Sequence, residues 1–133
     1  MIKAYLAGIS VFQEGEDIEV RYAIYKDDVL ILKKREFLDY RKPLVVGQVS
    51  LITLLNAMEA YKGQEITIII NDGALNEQIR GTYVMKNGEL IKLSGITNSK
   101  LKKFGDNISV KCINNDKDAI SEWNEILSFK EDN

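Results

Sequence analysis

The hydrophobic period of this chain changes at Pro43, its only proline, and that change restricts the possible folds more than any other feature. Before it, Ile18–Tyr25 alternates, with Ile18, Val20, Tyr22 and Ile24 on one face and Glu19, Arg21 and Ala23 on the other, the pattern of a half-exposed strand. Ile2–Phe12 is rich in Ile, Val, Tyr and Ala and reads as a strand ahead of the polar turn Gln13–Asp17. Asp27 and Asp28 make the next turn, and Val29–Tyr40 reads as a third strand whose exposed part or end is marked by Lys33, Lys34 and Arg35. Short polar turns between consecutive strands predict an antiparallel meander.

After Pro43 the period becomes helical. Between Gly47 and Gly63, the residues Leu51, Leu54, Leu55, Met58 and Tyr61 fall at i, i+3, i+4, i+7 and i+10, one core-facing stripe of an amphipathic helix. Glu65–Asn71 holds Ile66, Ile68, Ile69 and Ile70, an unbroken apolar run that predicts a central strand covered on both faces. Ala74–Ile79 reads as a short helix closed by Gly81, with Asp72 as its N-cap. In TYVMKNGELIKL an Asn-Gly pair between alternating runs predicts a hairpin, while Asn98–Phe104 looks helical, with Asn98 or Ser99 as cap and Gly105 as stop. Ile108–Ile113 predicts a further strand. Asp116 or Asp118 then caps a last helix through Phe129, whose apolar face is Ile120, Trp123, Ile126 and Leu127. The whole, residues 1–133, reads as a single α/β domain around a mixed five-stranded sheet.

Composition removes several chemistries. There is no histidine, so imidazole acid–base catalysis, Ser-His and Cys-His triads and imidazole-bound zinc are excluded. The lone Cys112 cannot form an internal disulfide, and its strand context predicts a small buried apolar role. Neither GxGxxG nor a P-loop occurs. The net charge is -2, so the chain as a whole is no polycation, and contact with nucleic acid would need a local basic patch. The start MIKAYLAGISVF lacks the layout of a signal peptide and no apolar run reaches membrane length, which predicts a cytoplasmic protein without membrane contact.

The stretch GQVSLITLLNAMEAYKGQEITIIINDGALNEQI, together with the opening strand KAYLAGISV and the order of elements, resembles the ribonuclease H-like superfamily. The resemblance implies a mixed sheet with helices on its faces. It also implies carboxylates gathered around two divalent metals, roughly 3.5–4 Å apart, that stabilise the attacking and leaving oxygens of a phosphodiester. Family members supply an Asp on the first strand, a Glu on the following helix, an Asp ending the fourth strand and an Asp in the last helix. Laid on that pattern, Ala7 (before Gly8) stands for the first acid and Ser50 for the second. Asp72 keeps the third, followed by Gly73. The fourth falls on Asp118 by the helix start, or on Ser121 by apolar spacing. One or two ligands thus remain, Asp72 being the candidate metal ligand and Asp72 and Asp118 vestigial catalytic candidates.

What this implies is a degenerate, non-catalytic member acting as a binding module for a protein, for a second copy of itself or for nucleic acid, with no cofactor. The alternative is a magnesium- or manganese-dependent nuclease for RNA or RNA–DNA hybrid, working with a reduced carboxylate set. Candidate phosphate contacts are Lys33, Lys34, Arg35, Lys100, Lys102 and Lys103, with Arg41 and Lys42 beside the first group; the other assignment is solvated faces of a strand and a helix. Tyr5, Tyr22, Tyr25, Phe37 and Tyr40 would stack on bases if exposed, and pack in the core if not.

Overall fold

The computed structural model describes residues 1–11 and 13–130. Its elements are β1 (Ile2–Ile9), β2 (Ile18–Lys26), β3 (Val29–Leu38), α1 (Pro43–Ala57), a short 3-10 turn (Glu59–Tyr61), β4 (Ile66–Ile70), α2 (Gly73–Arg80), α3 (Gly88–Phe104), β5 (Ile108–Cys112) and α4 (Lys117–Leu127). One five-stranded sheet results, in the order β3-β2-β1-β4-β5. The first three strands are antiparallel, β4 lies parallel to β1, and β5 lies parallel to β4. The expected mixed sheet is therefore the observed one.

Each face of the sheet is covered by its own layer. On one side, Ile2, Ala4, Leu6, Val20, Tyr22, Ile24, Ile66, Ile68 and Ile70 pack against Leu51, Leu54, Leu55 and Met58 of α1. On the other, Tyr5, Ala7, Ala23 and Ile69 pack against α4, chiefly Leu127 with Ile120, Trp123 and Ile126 around it. The run of isoleucines in β4 needs no polar face because Ile68 looks to one layer and Ile69 to the other. α3 lies outside α1, with Leu90 and Leu93 closing over Val45.

Several boundaries differ from the sequence expectation. α1 begins at Pro43 rather than Gly47, because the amide that proline lacks would have no partner in a first turn anyway. It ends at Ala57, and the chain leaves the 3-10 turn through Gly63, whose φ of +87 suits glycine. β3 ends at Leu38, two residues short of Tyr40, and the predicted end of β1 at Phe12 lies outside the described residues.

The Asn87-Gly88 pair forms no hairpin. Asn87 is the N-cap of α3, its side-chain oxygen accepting from the Leu90 amide at 3.1 Å, and the helix then runs without a break to Phe104. An Asn-Gly pair fits a tight turn and a helix start equally, and burial of Leu90, Leu93 and Thr97 against α1 decides for the helix. Asn98 and Ser99 are accordingly mid-helix, not caps. Cys112 is half-buried rather than buried, at the margin of the α1-side core on the edge strand β5.

Candidate functional site

The parallel pairing of β1 with β4 brings their C-terminal ends to the same end of the sheet, Leu6 lying beside Ile70. A pocket opens just beyond, about 60 Å³ in volume, bounded by Ala7 and Gly8 of β1, Ser50 of α1, Asp72 ahead of α2 and Trp123 of α4. The three positions that the superfamily pattern assigned to Ala7, Ser50 and Asp72 thus meet at one place. That volume holds a few waters or a partly hydrated ion, and nothing as large as a nucleotide.

Two glycines make the close approach possible. A Cβ on Gly8 would stand 2.2 Å from the Ser50 hydroxyl oxygen, and one on Gly47 would stand 2.9 Å from a carboxylate oxygen of Asp72. α1 therefore lies directly on the end of β1 and against the start of α2. The Ser50 hydroxyl, buried, donates to the Val46 carbonyl one helical turn back, at 2.7 Å. Asp72 is half-buried, and its Oδ1 accepts from the Leu75 amide at 3.0 Å, so the carboxylate is the N-cap of α2 as expected. Trp123 closes the α4 side, its indole Nε1 donating to the Leu6 carbonyl at 3.0 Å.

The remaining acids stay away from this pocket. Asp116 is the N-cap of α4, accepting from the Ala119 amide at 3.1 Å, and Asp118 is exposed in the first turn of that helix. Neither lines the pocket, nor does Ser121, which is exposed on α4. Among the described residues, no three Asp, Glu, Cys or His side chains are grouped so as to hold a metal ion. Magnesium requires near-octahedral oxygen coordination, and two metals require shared carboxylates. One carboxylate, already bonded to an amide, and one hydroxyl donating to a carbonyl do not fit a two-ion centre.

The basic candidates fall on separate surfaces. Lys33 and Arg35 lie on the α4 side of the sheet, where with Arg21 they surround the ring of Phe129, just past the end of that helix, at 4.7, 5.5 and 5.3 Å. Lys33 also donates to the Ser128 carbonyl, and Arg35 pairs with Glu19 at 2.8 Å. Lys34 turns to the opposite face and pairs with Glu36 at 3.2 Å. On α3, Lys100 and Lys103 border an open depression of about 360 Å³ with Lys92, and Lys100 donates to Asn56 at 2.7 Å. Lys102 borders a different hollow toward β5. Arg41 pairs with Glu89 at 2.9 Å, and Lys42 is exposed ahead of Pro43.

The aromatics divide as well. Tyr5 and Tyr22 are buried, Tyr25 stands edge-on to Tyr5 at 5.7 Å, Tyr40 is half-buried and Phe37 is largely exposed. Its spacing in the sequence places Trp123 only on the apolar stripe of α4. Its place at the pocket was not legible from the sequence, since helical spacing tells which face is inward but not which strand end it meets.

No family model matches the sequence, and neither does any curated protein. Solved structures match over nearly the whole chain. The RNase H1 of the halophilic archaeon Halobacterium salinarum superposes with a TM-score of 0.78 at 16% identity, covering 95% of this chain and 92% of that one. The fold is that of the ribonuclease H-like superfamily. LC11-RNase H1, isolated from compost by a metagenomic approach, gives 0.76 at 16% identity, with 95% and 94% covered. The N-terminal RNase H domain of Rv2228c from Mycobacterium tuberculosis gives 0.73 at 14% identity over 95% and 94%. LC11-RNase H1 has also been solved with an RNA/DNA hybrid, a structure that superposes with a TM-score of 0.72 at 18% identity over 96% of each chain. No helix among the described residues is long and apolar enough to cross a membrane.

Proposed function

We propose that this chain is a ribonuclease H-like domain that has kept the scaffold as a binding module and does not hydrolyse phosphodiesters. The observation that supports it is the wall of the pocket at the ends of β1 and β4, where Ala7 and Ser50 flank Asp72 and leave a single carboxylate. Two-metal hydrolysis depends on several acids that neutralise and position both ions. Ala7 has no donor at all, and the Ser50 hydroxyl is held by its own helix. The partner class is a protein, a second copy of the chain or nucleic acid held through Lys33, Lys34, Arg35, Lys100, Lys102 and Lys103. A nucleic-acid partner would bind with affinity that falls as salt rises.

The nuclease alternative rests on Asp72 alone, with magnesium or manganese supplied by solution. Incubation of the protein with RNA–DNA hybrid and either metal decides between them. The expected result is no cleavage above a buffer control. Metal-dependent cleavage that disappears in Asp72→Asn would overturn the proposal. A low-salt gel shift with the same hybrid tests the nucleic-acid arm, and absence of any shift removes it.

A further inference from the structure

β3 is an outer strand of the sheet, and among the described residues nothing pairs with its outer edge. Such an edge is a template for another strand unless charge or distortion blunts it. Here the charge is arranged for a match. Residues 32–38 read Leu-Lys-Lys-Arg-Glu-Phe-Leu. Antiparallel pairing of this segment with itself about Arg35 sets Leu32 opposite Leu38, Lys33 opposite Phe37 and Lys34 opposite Glu36, each twice by symmetry.

The pleat permits this register and restricts the others. Residues directly opposite in an antiparallel pair share a face, with Cβ atoms about 4.5–5.5 Å apart. Lys34 and Glu36 stand opposite Tyr22 and Val20, on the α1 face, whereas Lys33, Arg35 and Phe37 stand opposite Ala23, Arg21 and Glu19, on the α4 face. A two-fold axis perpendicular to the sheet keeps each face on its own side, so in a regular strand it must pass through a residue, not between two. An axis through Lys34 would set Lys34 on Lys34 and Lys33 on Arg35. An axis through Lys33 would set Leu32 on Lys34. An axis through Glu36 would set it on itself and shorten the pairing. Further toward Val29, the bulge between the partners of Ile24 and Tyr25 leaves Ile31 without an opposite residue and breaks the alternation.

Only the Arg35 register joins opposite charges, places an exposed aromatic beside a cation and joins leucine to leucine. Its one like-charged contact, Arg35 with Arg35, involves a guanidinium already paired with Glu19. Phe37 is 58% exposed and Leu32 39%, and both would be covered.

We propose that two copies of this chain associate through β3, antiparallel and centred on Arg35, continuing one sheet across both. This names the partner within the binding-module reading, as a second copy. One strand pair is a small contact by the standard of stable interfaces, so the dimer forms and dissociates with concentration.

Sedimentation velocity across a concentration series tests it. The unaltered chain is expected to shift toward the mass of two copies as concentration rises. Glu36→Lys and Lys34→Glu each convert two attractive pairs into two repulsive ones and should weaken association about tenfold or more. The double swap Lys34→Glu with Glu36→Lys restores complementarity and should restore the dimer, an outcome that no loss of folding can imitate. In a Cys112→Ser background, Arg35→Cys should cross-link on mild oxidation, because residue 35 alone faces its own copy, whereas Lys34→Cys should not. A monomer at millimolar concentration would overturn the proposal, as would a dimer indifferent to the charge swaps or a cross-link at 34 in place of 35. Mass and hydrolysis are read separately, so a monomer leaves the non-catalytic assignment standing and cleavage of hybrid leaves the dimer standing.

Discussion

The side-chain amide of Gln48 donates to the side-chain oxygen of Gln78 at 3.0 Å, inside the protein and out of contact with water. The Gln48 oxygen in turn accepts from the Thr97 hydroxyl at 2.6 Å, so one residue of α1 ties α2 and α3 together. All three groups are buried, and no buried side-chain polar atom among the described residues lacks a partner. Replacing Gln48 by Leu would leave the Gln78 oxygen and the Thr97 hydroxyl unpaired, and each such group costs about 1–3 kcal/mol. We predict a clear fall in urea midpoint for Gln48→Leu. A cycle with Gln78→Leu should show strong non-additivity, because the second substitution removes a group the first had stranded.

A second prediction concerns the contact of Gly8 with Ser50. A methyl group at Gly8 would overlap the Ser50 hydroxyl at 2.2 Å and press on Val46 at 3.2 Å. α1 is held by its packed stripe and cannot retreat without opening the core. Gly8→Ala should therefore destabilise by about 1–3 kcal/mol, the range for overpacking. Adding Ser50→Ala removes the overlapping oxygen and should recover part of the loss, though the Ser50 Cβ itself stays 3.1 Å from the new group. Thermal unfolding of the two single variants and the double variant measures this.

How much of this was legible in the sequence follows from the range over which each signal acts. Period-two alternation placed Ile18, Val20, Tyr22 and Ile24 on one face correctly, because the pleat is a local property. The isoleucine run of β4 announced a strand covered on both sides for the same reason. Asn87-Gly88 misled because the pair serves two geometries, and the choice lies in packing against α1, which is distant in sequence. The meeting of Ala7, Ser50 and Asp72 was reachable only through the superfamily resemblance, since nothing in their own spacing joins two strand ends and a helix. Gln48 sits one residue past Gly47 in a helix read by its apolar positions, and its polar network left no mark in that pattern.

Asp72 allows stability and chemistry to be separated by choice of substitution. Its Oδ1 caps α2 through the Leu75 amide. Asn is nearly as good an N-cap as Asp, whereas Ala has no acceptor. Asp72→Ala should lower stability by about 0.5–2 kcal/mol. Asp72→Asn should change it little, which makes it the appropriate variant for the hydrolysis test. Urea unfolding of the two variants side by side checks the difference, and equal losses would show that the carboxylate is doing something other than capping.

The last prediction concerns alkaline pH. Tyr5 is 4% exposed, and its hydroxyl donates to Glu122 at 2.9 Å. Burial, and then that hydrogen bond to a carboxylate, raise its pKa well above the ordinary value of 10.0. Burial likewise raises the Tyr22 pKa. A group whose folded pKa is raised holds its proton more tightly in the folded chain. Its contribution to stability is therefore complete below the unfolded pKa and is lost as pH climbs from that value toward the folded one. Below about pH 9, an ordinary tyrosine is protonated whether the chain is folded or not, and these two residues add no slope. Above pH 10, the unfolded chain releases protons that the folded one retains; Tyr5 should reduce stability by about 1.4 kcal/mol per pH unit, and Tyr22 acts in the same direction. Tyr5→Phe removes one of the two titrations, at the cost of leaving Glu122 without its donor. Urea unfolding at pH 8, 10 and 11 should show a shallower alkaline decline in Tyr5→Phe than in the unaltered chain; identical slopes would mean that Tyr5 ionises as readily in the folded protein as in the unfolded one.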